Sequence, residues 1–209
     1  MQTTPRVPGI GRVLLGAVLL AGVAAEPSGL AARVSARLAP VQNGALAPAD
    51  RMQQKLEAIV RFGAIPRLET QSTVIEEGEV NSYLEHHLRA EIPPGVVAPT
   101  LRIHGDDMLS ATATLDLDAM NGSRPQADGF DPFRLLTGRL PAKVAGRLVT
   151  ENGTGRFELQ TAELGGIPIP RAVVSQLVRQ YDVDIDAPFD LPSAIREIRV
   201  EPGQVVVLQ

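Results

Sequence analysis

The 209-residue chain has three histidines (His86, His87 and His104) and no cysteine, so no thiolate is available to a metal site. Adjacent helical residues point about 100° apart, which keeps His86 and His87 from sharing an ion; they read as surface or partly buried helix residues. Asp182, Asp184 and Asp186 have the spacing of a calcium-loop opening. The sixth position, which needs glycine, is Ala187, and the twelfth, which needs glutamate, is Ser193. An acidic strand face accounts for these three better. Asp116 and Asp118 are expected on the outer face of one strand, whereas acid–base pairs work across a cleft. No Gly-x-Ser-x-Gly elbow and no phosphate-binding glycine loop occurs in the sequence. Asn121-Gly122-Ser123 and Asn152-Gly153-Thr154 match glycosylation acceptors, a pattern that is common by chance, and both read as turns. The residues therefore point away from an enzyme, and to no cofactor and no metal.

Composition narrows the class further. Hydrophobic residues make up 44%, charged residues 21%, and the formal net charge is −4. That balance is globular and gives no overall attraction for nucleic acid. Aromatics are 3% with no Trp, which removes the usual stacking platforms for single strands. Residues 1–25 have the form of a signal peptide: Arg6 and Arg12, then the apolar run Val13–Val23, then Ala24-Ala25 before Glu26. The expectation is export, with cleavage between Ala25 and Glu26 and a periplasmic or cell-envelope location. Residues 26–48, rich in Ala, Pro and Gly, read as a flexible lead-in, and 49–209 as a single domain.

The elements follow from periodicity. Pro48-Ala49-Asp50 opens a helix with Met52, Leu56, Ile59 and Val60 on one face, ending near Gly63. A strand is expected over 68–75, then a helix from Glu76 to Leu88 or Arg89 that buries Val80, Tyr83, Leu84, His87 and Leu88. Strands follow over 97–104 and 108–118, joined at Gly105-Asp106-Asp107. Leu109, Ala111, Ala113, Leu115 and Leu117 form the dry face of the second, and its alanines leave room for bulk opposite. Residues 120–137 read as a polar loop anchored by Phe130, Phe133 and Leu135. Strands 140–150 and 155–164 flank the hairpin turn Asn152-Gly153. Gly165-Gly166 breaks the second, and Pro170 opens a helix with Val173, Val174, Leu177, Val178 and Tyr181 on one stripe. A strand near 183–189 and a last hairpin, 195–201 and 204–208, complete the chain.

The helix opening Glu77-x-Glu79-x-Asn81-x-x-Leu84, the meandering strands, Gly166-Ile167-Pro168-Ile169-Pro170 and the closing Leu191-Pro192-Ser193-Ala194-Ile195 resemble bacterial envelope lipid-binding proteins. These are the LmeA-like and YceB-like proteins, related to the tubular lipid-binding (TULIP, or BPI-like) superfamily. The similarity covers about residues 70–209. It implies an α+β fold in which one curved antiparallel sheet wraps two or three helices around an apolar groove for acyl chains. It supplies no catalytic residue. Candidate groove residues are Leu115, Leu117, Leu148, Phe157 and Leu159 from strands, and Val174, Leu177 and Val178 from the helix. The expected partners are lipid acyl chains or a membrane surface. The alternative is an adaptor of the cell envelope, in which these eight residues simply fill a core and a protein partner binds a sheet edge or the 120–137 loop.

Overall fold

The computed structural model describes residues 47–65, 68–123, 137–179, 185 and 187–209, and the side chains of 121–123 and 176–179 are not among what is described. The expected signal peptide, nearly all of the lead-in, Phe130, Phe133, Leu135, Tyr181, Asp182, Asp184 and Asp186 lie outside the described residues.

Helix α1 (Pro48–Gly63) begins with proline in its first turn and buries Ala49, Met52, Leu56 and Ile59. Strand β1 (Ser72–Glu76) leads directly into α2 (Glu77–His86). The hairpin β2 (Val96–Gly105) and β3 (Met108–Asp116) turns through Asp106 and Asp107, both at positive φ. Then come α3 (Leu117–Ser123), β4 (Arg139–Glu151), β5 (Thr154–Leu164), β6 (Ile167–Pro168) and α4 (Arg171–Arg179). Short β7 (Phe189–Asp190) and the hairpin β8 (Glu197–Glu201) and β9 (Gln204–Leu208) follow. Asn152 and Gly153, at φ 50° and 81°, make the tight β4–β5 turn that only residues tolerant of positive φ allow.

The class is α+β, with antiparallel pairing throughout the described strands. The strands form two sheets where the sequence led us to expect one. An open six-stranded sheet runs β2-β3-β4-β5-β6, with β7 also on β5, and a three-stranded sheet runs β1-β9-β8. The last hairpin leaves the meander because β9 pairs with β1 from Ser72–Leu208 to Glu76–Gln204.

Helix α2 joins the two sheets. The Glu77 N–H donates to the Gly203 carbonyl (2.8 Å), and the Gly203 N–H to the Ile103 carbonyl (2.9 Å). Glu77 Oε2 accepts the Ile103 N–H at 2.7 Å. One turn on, Asn81 accepts the Leu101 N–H (2.7 Å) and donates to its carbonyl (2.9 Å). These side chains imitate a neighbouring strand and close the edge of β2. Glu79 faces the other way, buried against α1, where it accepts from Lys55 Nζ (2.6 Å), the Glu76 N–H (3.0 Å) and Arg51 Nε (3.2 Å). Helix-dipole stabilisation is thus only part of the reason for the acidic start.

Several expected boundaries move. β1 starts at Ser72 rather than Leu68, because Leu68 is fully exposed and pairing begins with Gln71 against Gln209. α2 ends at His86. Pro170 caps α4 rather than starting it: its carbonyl accepts the N–H groups of Val173 and Val174. Among the described residues, the strand expected over 183–189 amounts to β7. The largest correction is at Leu117 and Asp118, which belong to α3 and not to β3. Asp116 Oδ1 accepts the Ala119 N–H at 3.1 Å, an N-capping contact that turns the chain from strand into helix. Asp118 therefore does not share a strand face with Asp116.

Candidate apolar site

β-strand alternation gives the large sheet one wet and one dry face. On the wet face Thr100 meets Thr112, His104 Nε2 lies 2.7 Å from Ser110 Oγ, and Arg147 pairs with Asp107 at 3.5 Å. The dry face is ordered by the registers into rows across the strands. From one end these are Val96–Leu115–Leu140, then Ala113–Ala142–Leu164, then Leu101–Ala111–Val144–Ala162. Next come Ile103–Leu109–Gly146–Leu159 and finally Leu148–Phe157. Directly paired residues point to the same side, so Ala111, Ala113, Ala142 and Ala162 all lie on the dry face, with Val144 between Ala111 and Ala162. All four are buried, Ala111 and Ala162 in one cluster and Ala113 and Ala142 in another.

Two local features keep this face apolar along β5. Ala145 pairs with Thr161 and Gly146 with Leu159, so Gln160 is an extra residue. This bulge leaves Gln160 and Thr161 outward and returns both Leu159 and Ala162 inward. Gly146 is required where the Phe157 ring crosses β4: a Cβ there would lie 2.7 Å from Phe157 Cζ and closer still to the Glu158 carbonyl oxygen. The helix is placed by Ile169, whose N–H donates to the Ala162 carbonyl at 2.8 Å; one turn later Val174 is buried.

The candidate groove residues divide. Leu148, Phe157, Leu159 and Val174 join one buried cluster with residues of α1, α2, β8 and β9. Leu115 and Leu117 belong to a second cluster with Ala113, Met120 and Ala142, bordered by Val96, Leu140 and Leu164. Leu117 reaches it from α3, with Met120 one turn further on, and not from a strand. The side chains of Leu177 and Val178 lie outside the described residues. Sequence reasoning named the alanines of β3 but missed Ala142, Ala162 and Met120. The period-2 pattern of β4 and the bulge-shifted pattern of β5 carry the first two; Met120 became readable only with α3.

At the α3 end, Asp116 Oδ2 accepts Arg139 Nε at 2.9 Å. The Ala119 N–H and then the Arg139 side chain hold the Asp116 carboxyl below its usual range. This pair lies at the surface and fixes the start of α3. Among the described residues, no group of three His, Asp or Glu side chains could hold a metal ion, and no helix is long and apolar enough to cross a membrane.

Comparison with protein-family models, curated proteins and solved structures finds no match for this chain.

Proposed function

We propose that this is an exported, non-enzymatic lipid-binding or lipid-carrying protein of the periplasm or cell envelope. An acyl chain lies on the dry face of the large sheet, with α4 as the facing wall, in the manner of the tubular lipid-binding superfamily it resembles. The supporting observation is the set of four small side chains, Ala111, Ala113, Ala142 and Ala162, that share the dry face with larger ones. Small side chains set the sheet surface back by the missing carbons, and each methylene buried there contributes about 0.8 kcal/mol. Eight methylenes would contribute about 6 kcal/mol before ordering costs.

One observation favours a second reading, an envelope adaptor with a filled interior. Leu148, Phe157, Leu159 and Val174 are buried in the same cluster as the helix and hairpin residues of the main core. Native mass spectrometry of protein purified from its own envelope fraction, followed by lipid extraction, separates the two. A bound species released on denaturation is expected. A bare chain that stays bare after incubation with envelope lipids would falsify the carrier reading and leave the adaptor.

A further inference from the structure

We infer that β1 is a strand-addition site for a second copy of this chain, giving a weak two-fold dimer through a continuous six-stranded β8-β9-β1-β1-β9-β8 sheet. The inference starts from hydrogen-bond parity. Gln71 and Gln209 exchange both of their backbone bonds, so along the antiparallel β1–β9 ladder Thr73 and Ile75 also face β9. The N–H and C=O groups of Ser72 and Val74 consequently point the other way. Among the described residues they have no hydrogen-bond partner on that side. At the end of the strand Glu76 is not free, since its N–H donates to Glu79.

The other sheet margins are each closed in part. β2 is closed at Leu101 and Ile103 by Asn81, Glu77 and Gly203. β8 is closed at Ile198, whose N–H and C=O both bond Thr150 Oγ1, at 2.7 and 3.0 Å. β5 is paired at both ends, by β6 and β7. β1 has few of the usual protections: it is short and ends in Glu76, but no proline, no lysine and no bulge interrupts Ser72-Thr73-Val74-Ile75. Apolar side chains are exposed on β1 and in the segment that precedes it in sequence. Ile65, Leu68 and Val74 are three of the six large hydrophobic side chains left exposed among the described residues, at 58%, 103% and 40%.

A second copy fits because the free edge is its own complement. A two-fold axis through Thr73 sets Ser72 against Val74 of the second copy. Both are outward-facing, so the pairing forms about four backbone hydrogen bonds. Thr73 then faces its own counterpart, a favourable cross-strand pair. Val74 extends the partly exposed stripe of Val206 and Leu208 on the outer face, and no like charges oppose each other within the strand. A five-residue strand buries less than the ~1,200 Å² of a standard interface, which puts the association in the weak, transient class.

The test is sedimentation equilibrium of the purified protein over a wide concentration range, with amide exchange followed by NMR. The expected result is a reversible monomer–dimer equilibrium. The Ser72 and Val74 amides should exchange slowly only at high concentration, while those of Thr73 and Ile75 are protected throughout. Val74→Pro deletes one donor in each copy and should weaken association about thirtyfold. Val74→Lys leaves every backbone group in place and should weaken association by placing a charged, solvated side chain on the edge; it decides the matter if the proline variant fails to fold. A monomer at all concentrations would overturn the inference. So would a dimer in which Ser72 and Val74 stay unprotected, or one that survives both substitutions.

Discussion

Replacing Glu79 by Gln tests whether the join between α1 and α2 is electrostatic. Glu79 is 1% exposed and holds Lys55 and Arg51 at 2.6 and 3.2 Å. Glutamine keeps the size, and its amide oxygen can still accept the Glu76 N–H, so the change isolates the two ionic contacts. Hydrogen bonds to charged groups contribute about 1.5–3 kcal/mol each, and breaking a fully buried ion pair costs about 3–5 kcal/mol. Here the Arg51 and Lys55 side chains are 39% and 30% exposed, so both cations can turn to water once released. The expected loss is therefore nearer ~2 kcal/mol at neutral pH. The pH dependence gives a second constraint. Burial alone would raise the Glu79 pKa, but hydrogen bonds from Lys55, the Glu76 N–H and Arg51, with the Lys55 charge, outweigh it and hold the carboxyl below its ordinary value. A group whose pKa is lowered by folding stabilises the fold above the unfolded-state value, about 4.3. That contribution fades as the pH falls through the folded-state value. Urea unfolding of both proteins at pH 7 and at successively lower pH should show a gap that closes on acidification. A gap below about 0.5 kcal/mol at pH 7, or one equally large under acid, would refute this account of the join.

Asn81→Ala leaves the Leu101 N–H and C=O without their side-chain partner and should lower stability by about 1–3 kcal/mol in urea unfolding. In amide exchange the lost protection should centre on Leu101, with Ala111 across the strand little changed. Ala142→Leu adds bulk among the small side chains of the dry face and discriminates between the two functional readings. If an acyl chain normally occupies that volume, the purified variant retains its stability and loses bound lipid in native mass spectrometry. If the interior is filled by protein, overpacking costs about 1–3 kcal/mol.

What the sequence made legible was local. The strands of β3, β4 and β5 follow from alternation, and the Asn152-Gly153 turn from the positive φ that its two residues tolerate. At Leu115-Asp116-Leu117-Asp118 the same pattern fits a continuing strand and an aspartate-capped helix equally well. Tertiary contacts decide it: the Leu117 N–H donates to the Gly138 carbonyl at 2.9 Å, and Asp118 Oδ2 accepts the Gly138 N–H at 3.0 Å. The second sheet was hidden for a related reason. Its defining pair, Gln71 with Gln209, spans 138 residues, and no local pattern encodes which distant edge a hairpin will choose. The buried role of Glu79 was equally invisible, since an acidic helix start has a sufficient local explanation in the helix dipole.

The motif that carries the resemblance also gains a physical meaning independent of any ligand. Glu77 and Asn81 are four residues apart, hence on one side of α2, and together they bond Ile103 and Leu101 of β2. Glu79, between them in sequence, projects to the opposite side and holds α1. One helical turn thereby fixes a sheet edge on one side and a helix on the other. Such a joint closes the edge of β2 whether or not the dry face of the sheet holds a lipid. The motif is therefore evidence about architecture. Evidence about function has to come from the alanine rows of the dry face, where side-chain volume, and not backbone bonding, determines what can bind.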